Sequence, residues 1–427
     1  MNDLKACLLS FLAAALAGQA AGQTAVWPQW GGPTRDFKSP SAGLAAAWPA
    51  GGPRQVWSRA LGDGYSAIVE DGGMLFTQYR PVKGLVGAVV ARFTGSDPEV
   101  VVALDPETGA TRWEHAYEAP IVKGMNTEYG PGPHATPLVG GGRVFAVGST
   151  GKLHALEAKT GKVLWSHDLW DGLGGTVQGR GYSCSPIAYG DTLILSLGGD
   201  GQAVVAFRQK DGQVAWKNGR FDPSPASPLL INVDGQDQLV FFNAGGIAGL
   251  DPRDGSTLWT HPHRTDYGLN ISTPVWGEGN LLFCSSAYSG GSRLLHLAQS
   301  GGKTTVRERW FTSRMRVHFG TAARIGDYVY GSSGDFGPAF FSAVDVRTGE
   351  VAWQDRGLAR ASFVVAGGRF VLLDEDGTLA LASPTPDGLK IHARASVLSG
   401  RAWTVPTLVG TRVYVRDRAT IKAFDLG

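Results

Sequence analysis

The stretch Ala103-Leu-Asp105-Pro-Glu-Thr-Gly109-Ala-Thr-Arg-Trp113 decides the fold, because its pattern recurs along the chain. In each copy a short apolar run ends at an acidic or polar residue, a turn containing Gly follows, and Trp comes eight positions after that residue. The copies with this spacing are 103–113, 155–165, 206–216, 249–259 and 343–353. A sixth copy, from His296 to Trp310, has a longer turn, and a seventh, beginning at Ala380, has no Trp. This recurrence predicts a repeat architecture.

Each copy is typical of a β-hairpin. The apolar run forms one strand, the Gly turn reverses the chain, and the second strand carries the Trp. Gly permits the positive φ that a short hairpin with a bulge requires. Two further strand-like runs precede each copy, so every unit of about 40 to 56 residues offers four short strands, the size of one propeller blade.

The two ends of the repeat region predict how many blades there are. The chain stops at Ile421–Gly427, half a repeat without a Trp strand, and Pro53–Trp57 is the complementary half. We therefore predict an all-β, eight-bladed β-propeller of four-stranded antiparallel blades, closed by an N-terminal strand that completes the last blade. An unclosed stack of repeats is the alternative. The recurrent tryptophans are expected to pack between blades, and they are Trp57, Trp113, Trp165, Trp216, Trp259, Trp310 and Trp353.

Composition excludes several classes of protein. The 427 residues include 61 Gly, yet no Gly-X-Y period runs through them, which excludes collagen. Hydrophobic residues make up 43 %, enough to fill a large core, so a disordered chain is not expected. The formal charge of +2 is too small to attract nucleic acid or a membrane surface through bulk electrostatics.

The first 22 residues resemble a secretory signal peptide, with an apolar run from Ala6 to Ala17 followed by small residues. We expect residues 1–22 to be removed, 23–52 to form a lead-in segment and 53–427 to form the propeller. Cys7 lies at the start of the apolar run and not after it among the small residues, which does not fit a lipid-anchored protein, and no other stretch is long enough to span a bilayer. The predicted product is a soluble, monomeric periplasmic or secreted protein.

The run Ala-x-Asp-x-x-Thr-Gly-x-x-x-Trp resembles the tryptophan-docking motif of the pyrroloquinoline quinone (PQQ) repeat superfamily, and the resemblance covers nearly the whole mature chain. The opening Trp27-Pro-Gln-Trp30-Gly-Gly-Pro-Thr-Arg35-Asp36 is similar to the start of BamB-like bacterial propellers. The superfamily includes PQQ-dependent alcohol and sugar dehydrogenases as well as non-catalytic propellers of the BamB type. The motif residues build blades and do not distinguish these activities.

Candidate binding residues lie in the loops that join the outer strand of one blade to the inner strand of the next, since these loops meet at the central funnel. They are Tyr65, Glu128, His134, Arg180, Tyr182, Asn270, Arg316, His318, Arg360, Arg401 and Trp403. Together with Arg314, the arginines predict a positive basin for a carboxylate or phosphate. Alternatively, they bond loop carbonyls or acids such as Glu128 and Asp266. The tyrosines and Trp403 are suited to stacking on a flat ring.

Residues of other types offer weaker sites. His134 and His318 are either general bases or hydrogen-bonded structural residues. Glu128 with Asn126 offers oxygen ligands to Ca²⁺, but two neighbours do not make a site. The acidic run Asp374–Asp376 is interpreted as a solvated hairpin turn. We assign no catalytic residue and no metal ligand.

Three functions follow as hypotheses. The favoured one is a non-catalytic exported propeller that binds an envelope protein. The second is a PQQ-dependent oxidoreductase using PQQ with Ca²⁺, although the adjacent cysteines typical of the alcohol-oxidising enzymes and a Cys-x-x-Cys-His haem motif are missing from the sequence; Cys184 and Cys284 are the mature thiols. The third is binding of an anionic sugar or small acid without turnover.

Overall fold

The computed structural model describes residues 26–81, 97–385 and 387–427, so the predicted signal peptide lies outside the described residues. Eight four-stranded antiparallel sheets follow one another along the chain and form a closed ring. The prediction of an all-β propeller with eight four-stranded blades is confirmed.

Two strands precede the first complete blade: β1 (Lys38–Ser39) and β2 (Arg54–Ala60). Each following blade is given from its innermost strand outward. The first four are β3 (Val69–Asp71), β4 (Met74–Tyr79), β5 (Pro98–Leu104), β6 (Thr111–Glu118); β7 (Leu138–Gly140), β8 (Arg143–Val147), β9 (Lys152–Glu157), β10 (Val163–Asp168); β11 (Ile187–Tyr189), β12 (Thr192–Ser196), β13 (Val204–Arg208), β14 (Val214–Asn218); β15 (Leu229–Val233), β16 (Gln236–Asn243), β17 (Gly246–Leu250), β18 (Thr257–Pro262).

The remaining blades repeat the pattern. They are β19 (Val275–Gly277), β20 (Leu281–Ser286), β21 (Gly291–Ser300), β22 (Lys303–Thr312); β23 (Val317–Ile325), β24 (Tyr328–Ser333), β25 (Phe340–Asp345), β26 (Val351–Asp355); β27 (Ser362–Ala366), β28 (Arg369–Leu373), β29 (Thr378–Thr385), β30 (Gly388–Ser396); and β31 (Thr407–Val409), β32 (Arg412–Arg416), β33 (Thr420–Asp425), with β2 as the outer strand of this eighth blade.

Burial follows the position of a strand within its blade. β5 is buried along its whole length, because neighbouring blades cover both of its faces. The outer strand β6 alternates, with Trp113 and Tyr117 buried and the residues between them more exposed. A ring of packed sheets requires this difference. Strands inside a blade carry continuous apolar runs, whereas outer strands alternate between buried apolar and exposed polar residues.

The ring closes without a covalent link. β2 pairs antiparallel with β33, so that Arg54 lies opposite Asp425 and Trp57 lies opposite Ala423. This pairing covers the outer edge of β33, which would otherwise expose unpaired backbone groups.

The repeated tryptophans contact the Gly turn of the following blade. Trp113 donates its indole N–H to the Ala158 carbonyl at 2.9 Å, and its ring lies on Gly161. A Cβ on that glycine would lie 2.5 Å from a ring atom, so no side chain fits there. The same ring-on-glycine contact is made by Trp57 on Gly109, Trp165 on Gly212, Trp216 on Gly255 and Trp310 on Gly349.

Trp259 departs from this pattern. The next blade has the long hairpin β21–β22 in place of the short Gly turn, and the Trp259 indole donates instead to Oε1 of Gln238 in its own blade, at 2.7 Å. Trp353 also meets a long hairpin, β29–β30, and donates to the Thr385 carbonyl at 3.2 Å. The longer turns foreseen in the sixth and seventh copies therefore change the partner of the preceding tryptophan.

Residues 26–41 cross the central channel. The backbone of Trp27 pairs with Glu70 of β3, the Pro28 carbonyl accepts the N–H of Val139 in β7 at 2.8 Å, and β1 pairs in parallel with β27. The segment is thus held by the inner strands of three blades around the ring. We call residues 26–41 the channel segment.

Arg35 anchors the middle of the channel segment. Only 3 % of the residue is exposed, and its guanidinium donates to the carbonyls of Pro228 at 3.0 Å and Pro186 at 2.9 Å, just before the inner strands of two more blades. Arg35 and Phe37 both have positive φ, 57° and 59°, a strained conformation for non-glycine residues. Three inner strands and two carbonyls that precede inner strands of other blades therefore hold this segment across the ring.

Candidate functional site

A cavity of about 520 Å³ lies in the centre of the ring, and we call it the funnel. Its walls come from loops that join neighbouring blades and from turns between the second and third strands of single blades. Trp30 of the channel segment contributes to its lining; the indole donates to Thr273 Oγ1 at 2.8 Å and packs edge-on against Phe37. Because the channel segment crosses the ring beneath it, the funnel is closed at that end.

One group of aromatic side chains surrounds Trp403. Tyr65 stacks on the indole with ring centroids 5.3 Å apart, Phe319 lies at 4.6 Å and Tyr129 at 6.0 Å. His134 stacks in turn on Tyr65 at 5.8 Å. Four of these rings come from loops between blades and the fifth, Phe319, comes from the start of β23, so the fold assembles them from distant parts of the sequence.

A second group forms around Tyr288 on the turn between β20 and β21. Its ring lies 4.8 Å from His318, 5.2 Å from Phe336 and 5.1 Å from Tyr267. His318 packs on Phe319 at 4.9 Å, which joins the two groups. We call the two groups together the aromatic wall: Tyr65, Tyr129, His134, Tyr267, Tyr288, His318, Phe319, Phe336 and Trp403.

The predicted positive basin is not what the structure shows, because three of the predicted arginines are paired with acids. Arg360 contacts Glu375 at 2.6 Å and Arg316 contacts Asp335 at 3.0 Å, while Arg180 lies 3.7 Å from Glu128. This is the alternative in which the arginines bond acids, although two of the acids differ from those named from the sequence.

Two of the predicted arginines, Arg314 and Arg401, have no ion pair within the described part of the chain, and of these Arg401 lines the funnel. Arg401 is exposed, and its guanidinium lies 4.7 Å from the Trp403 ring centroid. The funnel lining as a whole is balanced: three guanidinium groups (Arg180, Arg360, Arg401) face three carboxylates (Asp335, Glu375, Asp376).

Seven of the predicted site residues line the funnel, namely Tyr65, His134, Arg180, His318, Arg360, Arg401 and Trp403. The other four do not. Tyr182 and Asn270 are fully buried, the phenol donating to the Ser196 carbonyl and the amide to the Asn243 carbonyl. Arg316 and Glu128 take part only through their ion pairs.

The sequence analysis missed lining residues on the turns between second and third strands. Tyr288, Asp335, Phe336 and Glu375 all lie there, because in every blade this turn is on the same side of the ring as the loops between blades. Glu375 corrects the solvated-turn interpretation of the acidic run: its carboxylate bonds Arg360 and accepts the Trp403 indole N–H at 3.0 Å. Counting strands within each repeat would have located these turns.

The two histidines of the funnel are held in their neutral form. Burial lowers the pKa of His134 to about 4. Burial, followed by the nearby Arg360 cation, lowers the pKa of His318 to about 4 as well. At neutral pH both imidazoles are uncharged and weakly basic, and both pack against tyrosine rings, which fits the structural interpretation of these residues.

The donor set does not fit PQQ with Ca²⁺. PQQ carries three carboxylates, whereas the arginines at positions 180, 316 and 360 already neutralise protein acids. Asn126 Oδ1 accepts the Glu128 amide at 2.8 Å, and the described residues contain no cluster of three or more His, Cys, Asp or Glu that could hold a metal ion. We therefore derive no chemistry through this cofactor.

Comparison with known proteins places the chain in a family. The family described as outer membrane protein assembly factor BamB matches residues 97–355, more than half of the chain. The chain belongs to this family. Among its relatives are the outer membrane protein assembly factors BamB of Yersinia pestis, 25 % identical over 54 % of this chain and 55 % of the relative, and of Moranella endobia, 21 % identical over 86 % and 78 %. The chain thus spans about half the length of the Yersinia pestis protein.

Solved structures share the fold of this BamB-family propeller. BamB from Moraxella catarrhalis superposes with a TM-score of 0.59 at 18 % identity, covering 87 % of this chain and 97 % of that one. The quinohemoprotein alcohol dehydrogenase from Comamonas testosteroni superposes with a TM-score of 0.62 at 14 % identity, covering 95 % and 81 %. At these identities the likeness concerns the fold alone. A search of the described residues for a helix long and apolar enough to cross a membrane finds none.

Proposed function

We propose that this protein is a non-catalytic binding protein of the bacterial cell envelope that contributes to the assembly of outer-membrane proteins. Two relatives carry that role in their names, outer membrane protein assembly factor. The proposal includes export, with residues 1–22 as a cleaved signal. N-terminal sequencing of the protein purified from the envelope tests this part, and a mature chain beginning near residue 23 is expected.

The observation that carries the binding role is the exposure of aromatic rings at the funnel mouth. Tyr129 is 42 % exposed, Tyr267 62 % and Phe336 74 %. Tyr267 and Phe336 lie 6.4 Å apart, so their rings form one apolar patch above the ring of blades. Large exposed aromatics grouped in this way are typical of surfaces that bind another protein, since rings supply contact area at a low cost in side-chain entropy.

Site-specific photocrosslinking in the native bacterium tests this role. A photoreactive amino acid at position 336 or 267 is expected to give a crosslink to a component of the outer-membrane assembly machinery. Phe311, 48 % exposed on the outer strand β22, is the matched control position and is expected to give no such crosslink. Equal crosslinking from all three positions, or crosslinks to none of these components, would contradict the proposal.

The oxidoreductase alternative is supported by likeness to quinoprotein dehydrogenases, both in fold and, over part of the chain, in sequence. Titration of the purified protein with PQQ and Ca²⁺ separates the two functions. Because Arg180, Arg316 and Arg360 are paired with acids and only the exposed Arg401 of the described lining is not, we expect no change in the quinone spectrum and no rise in melting temperature. A saturable spectral change would favour the oxidoreductase.

A further inference from the structure

We propose that the funnel binds a neutral oligosaccharide of two or three sugar rings. The funnel shares Tyr129 and Phe336 with the exposed aromatic patch of the proposed function, but its ligand does not depend on that function. The proposal rests on the size and closure of the cavity, its charge balance and its combination of aromatic and hydroxyl side chains.

The size and shape of the funnel select a small ligand. Its volume of about 520 Å³ falls within the range of about 300–1,000 Å³ that is typical of small-molecule sites. The channel segment closes the far end, where Trp30 is held by Thr273 and Arg35 by two backbone carbonyls. A polypeptide cannot thread through the ring, so a ligand must enter and leave by the mouth.

The charge balance of the funnel selects a neutral ligand over an anion. The ion pair between Arg360 and Glu375 presents further N–H donors and carboxylate lone pairs without net charge. Binding a carboxylate or phosphate at Arg360 would leave Glu375 uncompensated in a partly buried position, which is costly. Within the described lining only Arg401 has no acid partner, and because it is exposed its charge is screened by solvent. Hydroxyl groups, in contrast, donate to the carboxylate and accept from the guanidinium while the pair stays intact.

The side chains of the lining suit the two faces of a sugar. Aromatic rings such as Trp403 and Tyr288 pack on the C–H faces of a pyranose, as rings do on other weakly polar surfaces. Ser183 and Ser227 add hydroxyls that both donate and accept. An acyl chain would leave these polar groups without partners, which disfavours a lipid.

Backbone strain also concentrates at this site. Arg360 has a φ of 45° and Tyr288 a φ of 53°, and both line the funnel. Conformations of this kind are costly and persist where the surrounding structure holds a side chain in a required place. The strained backbone places Arg360, which pairs with Glu375, and Tyr288, the central ring of the second aromatic group.

Calorimetric titration of the full mature protein tests the proposal with defined sugars. The probes are the neutral trisaccharides cellotriose, maltotriose and tri-N-acetylchitotriose, with trigalacturonate as an anionic trisaccharide of similar size. We expect at least one neutral trisaccharide to bind and to change the tryptophan fluorescence, and trigalacturonate to bind at least tenfold more weakly. Binding of none of the neutral sugars, or tighter binding of trigalacturonate, would overturn the proposal.

Variants localise the binding to the funnel. Trp403→Ala and Glu375→Gln are each expected to weaken the neutral sugar at least tenfold, whereas Phe311→Ala on β22 should bind as the unchanged protein does. Melting curves establish that each variant is folded; if Trp403→Ala is not, Tyr288→Ala replaces it. Unchanged affinity in folded funnel variants would place the sugar elsewhere and overturn the assignment, while crosslinking at position 267, which is not among the lining residues, tests the envelope role separately.

Discussion

Single histidines between the blades are kept uncharged by their surroundings. His263 is 1 % exposed, and its Nδ1 accepts a hydrogen bond from Arg293 Nε at 2.8 Å. Its ring packs edge-on against Phe242 at 4.9 Å. Burial, and next the Arg293 cation, lower the pKa of His263 to about 3. Protonation would remove the acceptor and place a second cation beside Arg293.

Because the pKa of His263 is lowered in the folded protein, we expect the stability of the fold to be sensitive to acid. The unfolded chain binds a proton at His263 near pH 6.5, whereas the folded chain does so only near pH 3. The unfolded state therefore holds more protons between these values, and the free energy of unfolding should fall as the pH is lowered from 7 to 5. In denaturant melts, His263→Asn should be less stable at pH 7 but should lose less stability on going to pH 5. An equal loss in both proteins would show that this side chain does not titrate as described.

At the scale of the blade, the contact between a tryptophan and a glycine couples one blade to the next. The indole of Trp113 covers Gly161 and bonds the carbonyl of Ala158 in the same turn. The glycine serves two purposes there, since its φ of 73° is left-handed and its missing side chain leaves room for the ring.

The contribution of the tryptophan–glycine contact to the free energy of unfolding can be separated from the cost of placing a non-glycine residue at a positive φ. Gly142 in the same blade has the same φ of 73°, but a Cβ there would meet nothing within 4 Å. Both Gly161→Ala and Gly142→Ala incur the backbone strain, but only the first forces Trp113 away. We expect Gly161→Ala to reduce the free energy of unfolding by about 2 kcal/mol more than Gly142→Ala does, by analogy with other overpacked sites. Equal losses in urea melts would mean that the tryptophan moves aside without cost.

For the whole molecule, the meeting of the eighth and first blades completes the ring. Arg416 of β32 is fully buried there, and its guanidinium donates to the carbonyls of Gln78 at 2.8 Å and Ser66 at 3.1 Å in the first blade region. Burial lowers its pKa to about 10, so the group remains charged at neutral pH. It satisfies carbonyls that the ring closure takes out of water.

Replacing this arginine should weaken the closure more than replacing its neighbour on the strand. Arg416→Met removes the guanidinium donor to the Gln78 carbonyl and leaves the Ser66 carbonyl with the Thr77 hydroxyl alone, and we expect a loss of about 3 kcal/mol or more in the free energy of unfolding. Arg412→Met on the same strand removes an ion pair to the exposed Glu107 and should cost less than about 1 kcal/mol. Similar melting temperatures for the two variants would refute this role of Arg416.

The fold could be predicted from the sequence because the repeat is local. Each copy from apolar strand to Trp lies within 11 residues, and its spacing reflects one hairpin whose chemistry does not depend on distant parts of the chain. The number of blades followed from the two half-repeats at Trp57 and Phe424. The pairing of β2 with β33 was predictable because each strand belongs to a half-repeat that lacks what the other half-repeat supplies.

The funnel could be predicted only in part, because its side chains come from many separate loops. The junction loops identified Trp403 and Arg360, but the partners of Arg360 and Arg316 lie on turns whose direction depends on counting strands inside each blade. Charge balance is a property of side chains meeting in space, so the sequence showed five arginines without showing Glu375 and Asp335 beside them. The crossing of the channel by residues 26–41 has no periodic signature at all.

The pairing of β2 with β33 joins residues more than 300 positions apart in sequence. When the chain emerges from N to C terminus, β2 has no partner until β33 has been made, and the channel segment ahead of it has no complete channel to enter. The last steps of folding therefore bring the earliest strand back to the latest one, and contacts of such large sequence separation form slowly. Until β2 pairs with β33, the edge of the last sheet stays open. The newly made chain therefore depends on protection from association with other chains until that pairing has formed.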